Sequence, residues 1–146
     1  MHTFGHVVFR QQTEIVVGLI KEVVHTPSIY FDKGAKINRA MQDGWTPLFV
    51  ACDRGHVDAA ELLLGHGADV HGSNSDYTTP LLQACFMGHT EIVELLLDSG
   101  AVSDLYRQDD DGDTPMSCAK DEGHPAIVDL LKESAHTGGE YRISYV

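Results

Sequence analysis

The sequence predicts an all-α solenoid, in which similar pairs of helices are stacked along the chain. The motif Thr46-Pro47-Leu48 recurs 33 residues later as Thr79-Pro80-Leu81. Two glycine dipeptides recur at the same 33-residue spacing, Gly55-His56 as Gly88-His89 and Gly67-Ala68 as Gly100-Ala101. Self-similarity at a fixed period of roughly 20 to 50 residues is the signature of a protein built from stacked repeats. We therefore expect each repeat to be stabilised by its neighbours.

The second repeat shows how the sequence specifies its two helices. Thr46 can cap a helix with its hydroxyl group, and Pro47 suits the first helical position because its missing N–H would have no partner there. This helix is predicted to run to about Arg54, where Gly55 can adopt the left-handed conformation that ends a helix. A second helix is predicted over residues 57–66.

The third repeat copies the second, and its second helix has a single apolar face. The members of this face are Ile92, Val93, Leu96 and Leu97. Their spacing places them on one side of a helix, where the next repeat can cover them. Burying each such side chain contributes about 1.5 to 3 kcal/mol. Stacking between repeats is therefore expected to hold the molecule together.

The fourth repeat begins two residues late. Thr114-Pro115 follows Thr79-Pro80 by 35 residues instead of 33. We place the two extra residues between Leu105 and Asp111, because insertions are tolerated in surface loops. The finger of the fourth repeat is therefore predicted to be longer than the others.

These motifs resemble the ankyrin repeat, and the resemblance covers nearly all of the chain. It implies a β-turn followed by two antiparallel helices in each repeat, with β-hairpin fingers between repeats. We count four repeats, at about 10–42, 43–75, 76–110 and 111–135, with an N-terminal extension at 1–9 and a C-terminal tail at 136–146. The first repeat is the least regular: Gly34 keeps the register, but Glu14 replaces proline and Pro27 falls where the second helix should begin.

Two departures from the family pattern bear on stability and function. The histidine that usually follows Thr-Pro-Leu is replaced by Phe49, Leu82 and Ser117, so we expect its hydrogen-bond network to be absent. Tyr77 stands where the other fingers have glycine, as at Gly44. A residue other than glycine at positive φ costs about 1 kcal/mol or more. Either this turn differs from the others, or Tyr77 is there to contact a partner.

Charge and composition restrict the classes of partner. The chain has 146 residues, 42% of them hydrophobic, which is enough for one domain with a core. Its 10 Lys and Arg against 22 Asp and Glu give a formal net charge of −12, which repels nucleic acid and anionic membranes. No stretch predicts a secretory signal or a membrane-spanning helix. We expect a cytoplasmic or nuclear protein whose partner is another protein with a basic and apolar surface.

The spacing of cysteine, histidine and aspartate does not favour a metal site. Cys52, Cys85 and Cys118 are expected to be reduced, small apolar residues of the first helices. The histidines of the Gly-His dipeptides are spread one to a repeat, whereas zinc needs converging ligands. The run Asp109-Asp110-Asp111-Gly112-Asp113 does not fit an EF-hand. Thr114 and Lys120 stand at the positions where an EF-hand requires glycine and a bidentate glutamate. We expect no metal, no cofactor and no catalysis.

The resemblance implies that a partner binds the fingers and the exposed concave face of the first helices. Transferred residue by residue, the predicted protein-binding residues are Gln42, Asp43, Trp45, Asp53 and Arg54 in the second repeat, Ser75, Asp76, Tyr77, Thr78, Phe86 and Met87 in the third, and Asp110, Asp111, Asp113, Asp121 and Glu122 in the fourth. They combine an aromatic and thioether patch with an acidic extension, and predict an adaptor or an inhibitor. Packing of the apolar members within the fold is the alternative.

Two other functions and three readings of the tail stay open. The chain could be a structural subunit of a larger assembly, or an enzyme with an unrecognised site. The terminal residues Ser144-Tyr145-Val146 resemble a ligand for PDZ domains. Alternation of Tyr141, Ile143 and Tyr145 instead has the period of a strand that covers the last helix pair. A frayed tail is the third alternative.

Overall fold

The computed structural model describes residues 36–40 and 43–137, and this part of the chain is built from stacked helix pairs. Its α-helices are α1 (Pro47–Arg54), α2 (Val57–Gly65), α3 (Pro80–Met87), α4 (Thr90–Asp98), α5 (Pro115–Asp121) and α6 (Pro125–Thr137). Short 3₁₀ segments lie at Lys36–Asn38 and Ala101–Asp104. The described residues contain no strand. The all-α repeat fold is confirmed, whereas the finger connections are turns and the predicted β-hairpins are not confirmed.

The first helix of each pair begins at a Thr-Pro dipeptide, as the sequence predicts. The hydroxyl of Thr46 accepts a hydrogen bond from the Phe49 N–H at 3.2 Å, and Thr79 does the same for Leu82 at 3.1 Å. Each capping threonine has an extended backbone and is followed by proline at the start of the helix. Local sequence therefore sets where α1, α3 and α5 begin.

Ser117 restores part of the hydrogen-bond network that was expected to be absent. Its N–H donates to the Thr114 hydroxyl at 3.2 Å, and its own hydroxyl accepts from the Thr114 N–H at 2.9 Å. This reciprocal pair of bonds is a capping box. The equivalent side chains Phe49 and Leu82 are buried instead, with 0% and 3% of their surface exposed. The expectation was therefore wrong at Ser117, where a short hydroxyl side chain caps the helix.

The Gly-His dipeptides join the second repeat to the third and the third to the fourth. Gly55 ends α1 in the left-handed conformation, with φ 76°, and the ring of His89 from the following repeat lies against it. His89 Nε2 is 3.0 Å from the carbonyl oxygen of Asp53. His124 repeats this contact over Gly88, with Nε2 3.2 Å from the equivalent carbonyl oxygen of α3. Each of these glycines therefore both ends a helix and leaves room for the next histidine.

The core lies between two layers of helices. α1 packs against α3 and α3 against α5, while α2, α4 and α6 form the second layer. The apolar face predicted for α4 is buried: Ile92, Val93 and Leu96 have no exposed surface, and Leu97 has 3%. Since α4 packs on α2 and α6, these side chains are covered by neighbouring repeats and not by their own repeat alone.

The two extra residues of the fourth repeat lie before the tip of its finger. Asp104 follows its counterpart His71 by 33 residues, whereas Asp109, which begins the finger turn, follows its counterpart Asn74 by 35. The insertion therefore falls within residues 105–108. Arg107 reaches back from this segment, with Nη1 donating to Asp104 Oδ1 and to the His71 carbonyl oxygen, each at 3.2 Å. His71 Nδ1 lies 2.7 Å from Asp104 Oδ2. The extra residues thus lie within the predicted range, between Leu105 and Asp111, and they lengthen the connection before the finger turn and not the turn itself.

The end of the predicted first repeat, at residues 36–40, is in register with the others. Asn38 accepts a hydrogen bond from the Asp69 N–H at 2.7 Å and donates to the Gly67 carbonyl oxygen at 3.2 Å. It thus bonds to the next repeat from the position that His71 occupies in the second repeat. The remainder of the first repeat lies outside the described residues.

The C-terminal boundary differs slightly from the predicted one. α6 runs to Thr137, two residues past the predicted end of the fourth repeat. The predicted N-terminal extension, the PDZ-like terminus and the alternating segment at 141–145 all lie outside the described residues. None of the helices within 43–137 is long and apolar enough to cross a membrane.

The three cysteines are free and buried, as predicted. Cys52 and Cys85 have no exposed surface, and Cys118 has 5%. Burial raises the pKa of the Cys52 and Cys85 thiols well above the ordinary value, because a buried thiolate loses its hydration. Burial first, and then the nearby carboxylates, raise the pKa of Cys118 to about 11. All three side chains therefore behave as small apolar residues.

Replacing Gly88 by alanine tests the contact between repeats. The alanine would have to keep the backbone φ of 81°. Its Cβ would lie 2.5 Å from the His124 ring, so the ring must move. The left-handed backbone costs about 1 to 2 kcal/mol, and loss of the histidine hydrogen bond adds about 0.5 to 1.5 kcal/mol. Gly67→Ala is the matched control, because its φ is 93° but nothing lies within 4 Å of the added Cβ. Urea denaturation should show the larger loss for Gly88→Ala; equal losses would mean that the histidine contact adds nothing.

The thiols should be unreactive in the folded protein. At pH 8 a thiol reagent needs access to a thiolate, and both burial and the raised pKa of Cys118 oppose this. We expect labelling to become fast only when urea unfolds the chain, with all three cysteines reacting together. Mass spectrometry of partly labelled samples measures this. Rapid labelling of Cys118 alone in the absence of urea would show local opening of α5.

Candidate functional site

The finger turns lie side by side and are joined by backbone hydrogen bonds. The Ser75 N–H donates to the Asp43 carbonyl oxygen at 3.0 Å, and the Asp110 N–H donates to the Asp76 carbonyl oxygen at 3.0 Å. The approach is close at Gly44, where a Cβ would lie 2.9 Å from the backbone of the next finger. The resulting surface, called the finger row below, consists of residues 43–44, 74–78 and 109–113.

The last two fingers are organised by side chains that were not among the predicted site residues. Asn74 Oδ1 accepts hydrogen bonds from the N–H groups two and four residues later, at 2.9 and 3.0 Å. Asp109 Oδ1 makes the same two bonds, both at 2.9 Å. Asn and Asp favour turns because their side chains bond to the backbone two residues on. Asn74 and Asp109 stand 35 residues apart, at equivalent positions of their repeats. A turn-favouring residue at both positions is the sequence signal that could have identified them.

Tyr77 occupies the position at which the neighbouring fingers have glycine. Its φ is 60°, against 79° at Gly44 and 82° at Gly112. Its N–H donates to the Asn74 carbonyl oxygen at 3.0 Å, just as the Gly112 N–H donates to Asp109 at 3.0 Å. The turn is therefore the same in both fingers. Within the described chain Tyr77 is the one residue other than glycine at positive φ, and 62% of it is exposed.

The finger row is acidic. Its exposed carboxylates are Asp43, Asp76, Asp110 and Asp111, and its partly buried ones are Asp109 and Asp113. The residues that define the row include no Lys or Arg. Carboxylates that are close together and not neutralised create a negative potential, which attracts cationic groups and raises the rate at which they associate. The row therefore favours a positively charged ligand.

Three carboxylates of the last finger converge. One oxygen from each of Asp109, Asp111 and Asp113 lies within 4.8 Å of the others, a spacing from which they could hold a cation. Among the described side chains, His, Cys, Asp and Glu form no other group of this kind. Asp109 is already bonded to the backbone of its own turn, so turn formation accounts for its position. The Gly-His histidines lie between repeats and do not converge.

Apolar surface is exposed at the end of α3. Phe86 and Met87 have 43% and 41% of their surface exposed. Trp45 is only partly exposed, and its ring packs on Phe49 with centroids 4.4 Å apart and planes at 56°. Tyr77, Phe86 and Met87 thus remain available to a partner, whereas Trp45 also serves the fold. One more large apolar side chain of the described chain, Tyr106, is exposed, at 75%, and it was not among the predicted residues.

The other predicted binding residues differ in how accessible they are. Arg54, Ser75, Asp121 and Glu122 are exposed. Thr78 is 7% exposed and offers little surface. Asp53 Oδ1 accepts from Gln83 Nε2 at 2.7 Å, a bond that ties α1 to α3. Gln42 lies outside the described residues.

Comparison with protein families matches the middle of the chain. A family model for ankyrin repeats (many copies) matches residues 48–97, which include nearly all of α1 to α4 and the finger that carries Tyr77. A search of curated proteins found no match. Ankyrin repeats are generally protein–protein interaction modules, and the family is typically not enzymatic. The 33-residue period, the Thr-Pro helix starts and the family match agree, and residues 48–97 are therefore similar to ankyrin repeats.

Proposed function

We propose that this chain acts as an adaptor or an inhibitor, and that its finger row and the end of α3 bind a partner protein with a basic and apolar surface. The observation that carries the proposal is the exposure of Tyr77, Phe86 and Met87. Large apolar side chains contribute little to stability when they remain in water, but their burial in an interface is favourable. All three belong to the predicted contact surface.

The charge of the finger row supports a basic partner. Six carboxylates lie in its three turns, and no Lys or Arg stands among them. In an interface, such an acidic surface raises the association rate of a cationic partner and disfavours acidic ones. The apolar residues would then supply most of the affinity, because hot spots are usually aromatic and centrally buried.

The proposal includes four repeats and an intracellular location. Asn38 makes contacts to the next repeat from the same register position as His71, which supports a first repeat at about 10–42. Three free, buried cysteines are consistent with a reducing compartment such as the cytoplasm or nucleus. Both points remain predictions.

Removing the exposed apolar side chains should weaken partner capture. We expect a Tyr77→Ala, Phe86→Ala, Met87→Ala variant to bind at least about tenfold more weakly than the parent chain, since each residue is a candidate hot spot. Its folding should be little changed because these side chains are exposed. The measurement is quantitative capture from native lysate, followed by titration with the captured protein.

Two controls accompany this experiment. Tyr106→Ala removes an aromatic side chain that is 75% exposed but lies outside the predicted surface, and should leave binding unchanged. A chain ending at Thr137 retains all of α6 and removes the tail. Loss of the partner only in the shortened chain would place binding on the tail and contradict the proposal.

Charge reversal tests the acidic half of the surface. Asp110→Lys, Asp111→Lys and Asp113→Lys together should slow association with the captured partner by about tenfold or more at low salt, with a smaller effect at high salt. Stopped-flow mixing over a range of ionic strength measures this. The effect should lie mainly in the association rate, because exposed charges steer an encounter more than they hold a complex.

A matched variant controls for net charge. Glu61, Glu94 and Glu133 are exposed residues of the second helices, and reversing these three changes the net charge by the same amount. Association should be slowed much less in this variant. Equal slowing in both variants would mean that total charge, and not the finger row, attracts the partner.

A further inference from the structure

Tyr77 combines two properties that the fold does not require. Its backbone has φ 60°, in the left-handed region that disfavours any residue with a Cβ. Its side chain is 62% exposed, so packing within the chain recovers little of that cost. A non-glycine residue kept in an unfavourable conformation is a reason to look for a function.

A different turn geometry does not explain Tyr77. Its finger has the same backbone bonds as the finger of Gly112: the Asn74 N–H donates to the Thr78 carbonyl oxygen, and the Asp109 N–H donates to Asp113, each at 3.0 Å. Gly112 occupies the equivalent position and has φ 82°. Glycine at position 77 would therefore suit the fold better than tyrosine does.

We infer that Tyr77 is the anchor residue of the interface, and that it binds an arginine side chain of the partner against its aromatic ring. This inference rests on the proposed function and adds to it the residue and the chemical group. Stability is then reduced at one turn in exchange for contact with the partner.

The surroundings of Tyr77 determine the choice of arginine. Asp76 precedes it in the chain, and the backbone bond from Asp110 to Asp76 brings the next acidic finger alongside. Both aspartates are exposed. A guanidinium group can stack on an aromatic ring while its N–H groups bond to carboxylates, which an ammonium group does less well. An exposed aromatic ring on a turn whose own and neighbouring residues include two exposed carboxylates, Asp76 and Asp110, therefore favours arginine over lysine.

The first experiment measures stability by urea denaturation and needs no partner. Tyr77→Gly should raise the folding equilibrium constant about two- to fivefold, since relief of the left-handed strain exceeds the extra chain entropy of glycine. Tyr77→Ala keeps the backbone strain and removes an exposed ring. Its folding equilibrium constant should therefore stay within about twofold of the value for the parent chain. Gly112→Ala should lower it about two- to fivefold, because nothing lies within 4 Å of its Cβ and only the backbone cost applies. A loss of stability in both Tyr77 variants would show that the ring holds the fold, and would overturn the inference.

The second experiment measures binding with a displayed library of random dodecapeptides as the probe. Peptides selected on the parent chain should be enriched in arginine next to an apolar residue. Their affinity should fall by about tenfold for Tyr77→Gly, the more stable variant, and stay unchanged for Tyr106→Ala. Replacing their arginine by lysine should weaken binding to the parent chain but have little effect on binding to Tyr77→Gly.

The outcomes separate this inference from the proposed function. Suppose that the peptides bind Tyr77→Gly and the parent chain with equal affinity but bind the double variant Phe86→Ala, Met87→Ala more weakly. This result would overturn the role of Tyr77 and leave the proposed function standing. Peptides that ignore all of these substitutions, or a selection without any specific enrichment, would count against both. Equal affinity of the arginine and lysine peptides for the parent chain would overturn the choice of arginine.

Discussion

The contact between repeats, in which a histidine ring lies against the glycine that ends the preceding first helix, is the constraint on which the rest of the structure depends. It joins two requirements at one residue. Gly55 and Gly88 must have positive φ to end α1 and α3, and they must lack a Cβ to admit His89 and His124. The same rings lie within hydrogen-bonding distance of carbonyl oxygens near the ends of those helices. The spacing between repeats is thereby set at these two junctions, and the apolar faces of the helices meet in register.

The fingers are held in a different way, and this difference makes the surface available for function. Their shape comes from local bonds, with Asn74 and Asp109 closing the turns, and from single backbone bonds between neighbouring fingers. Apart from Asn74 and Asp109, none of the finger-row side chains takes part in these bonds. Those side chains can therefore change without disturbing the core, and in this chain they are mostly carboxylates together with Tyr77.

Stability and recognition are thus assigned to different parts of each repeat. Buried side chains such as Leu96 are covered by neighbouring repeats, whereas Phe86 and Met87 lie at the end of α3 and remain exposed. An acidic row together with exposed aromatic and thioether groups matches the usual division of an interface into charges that guide association and apolar anchors that hold it. Asp53 and Thr78 belong to the structural side of this division, because one is bonded to Gln83 and the other is buried.

The sequence by itself determined the all-α repeat fold, the helix starts at Thr-Pro, the apolar face of α4 and the buried cysteines, because each depends on residues close together in the chain or on the period itself. It also identified Tyr77 as an exception among glycines. Only the tertiary structure decided that the Tyr77 turn keeps the same geometry, that Trp45 packs on Phe49, and that Ser117, which stands in place of the usual histidine, caps α5. It likewise revealed the bonds from Asp104 to His71 and Arg107. These features depend on the distance and direction between side chains after folding, which a pattern of residue types does not contain.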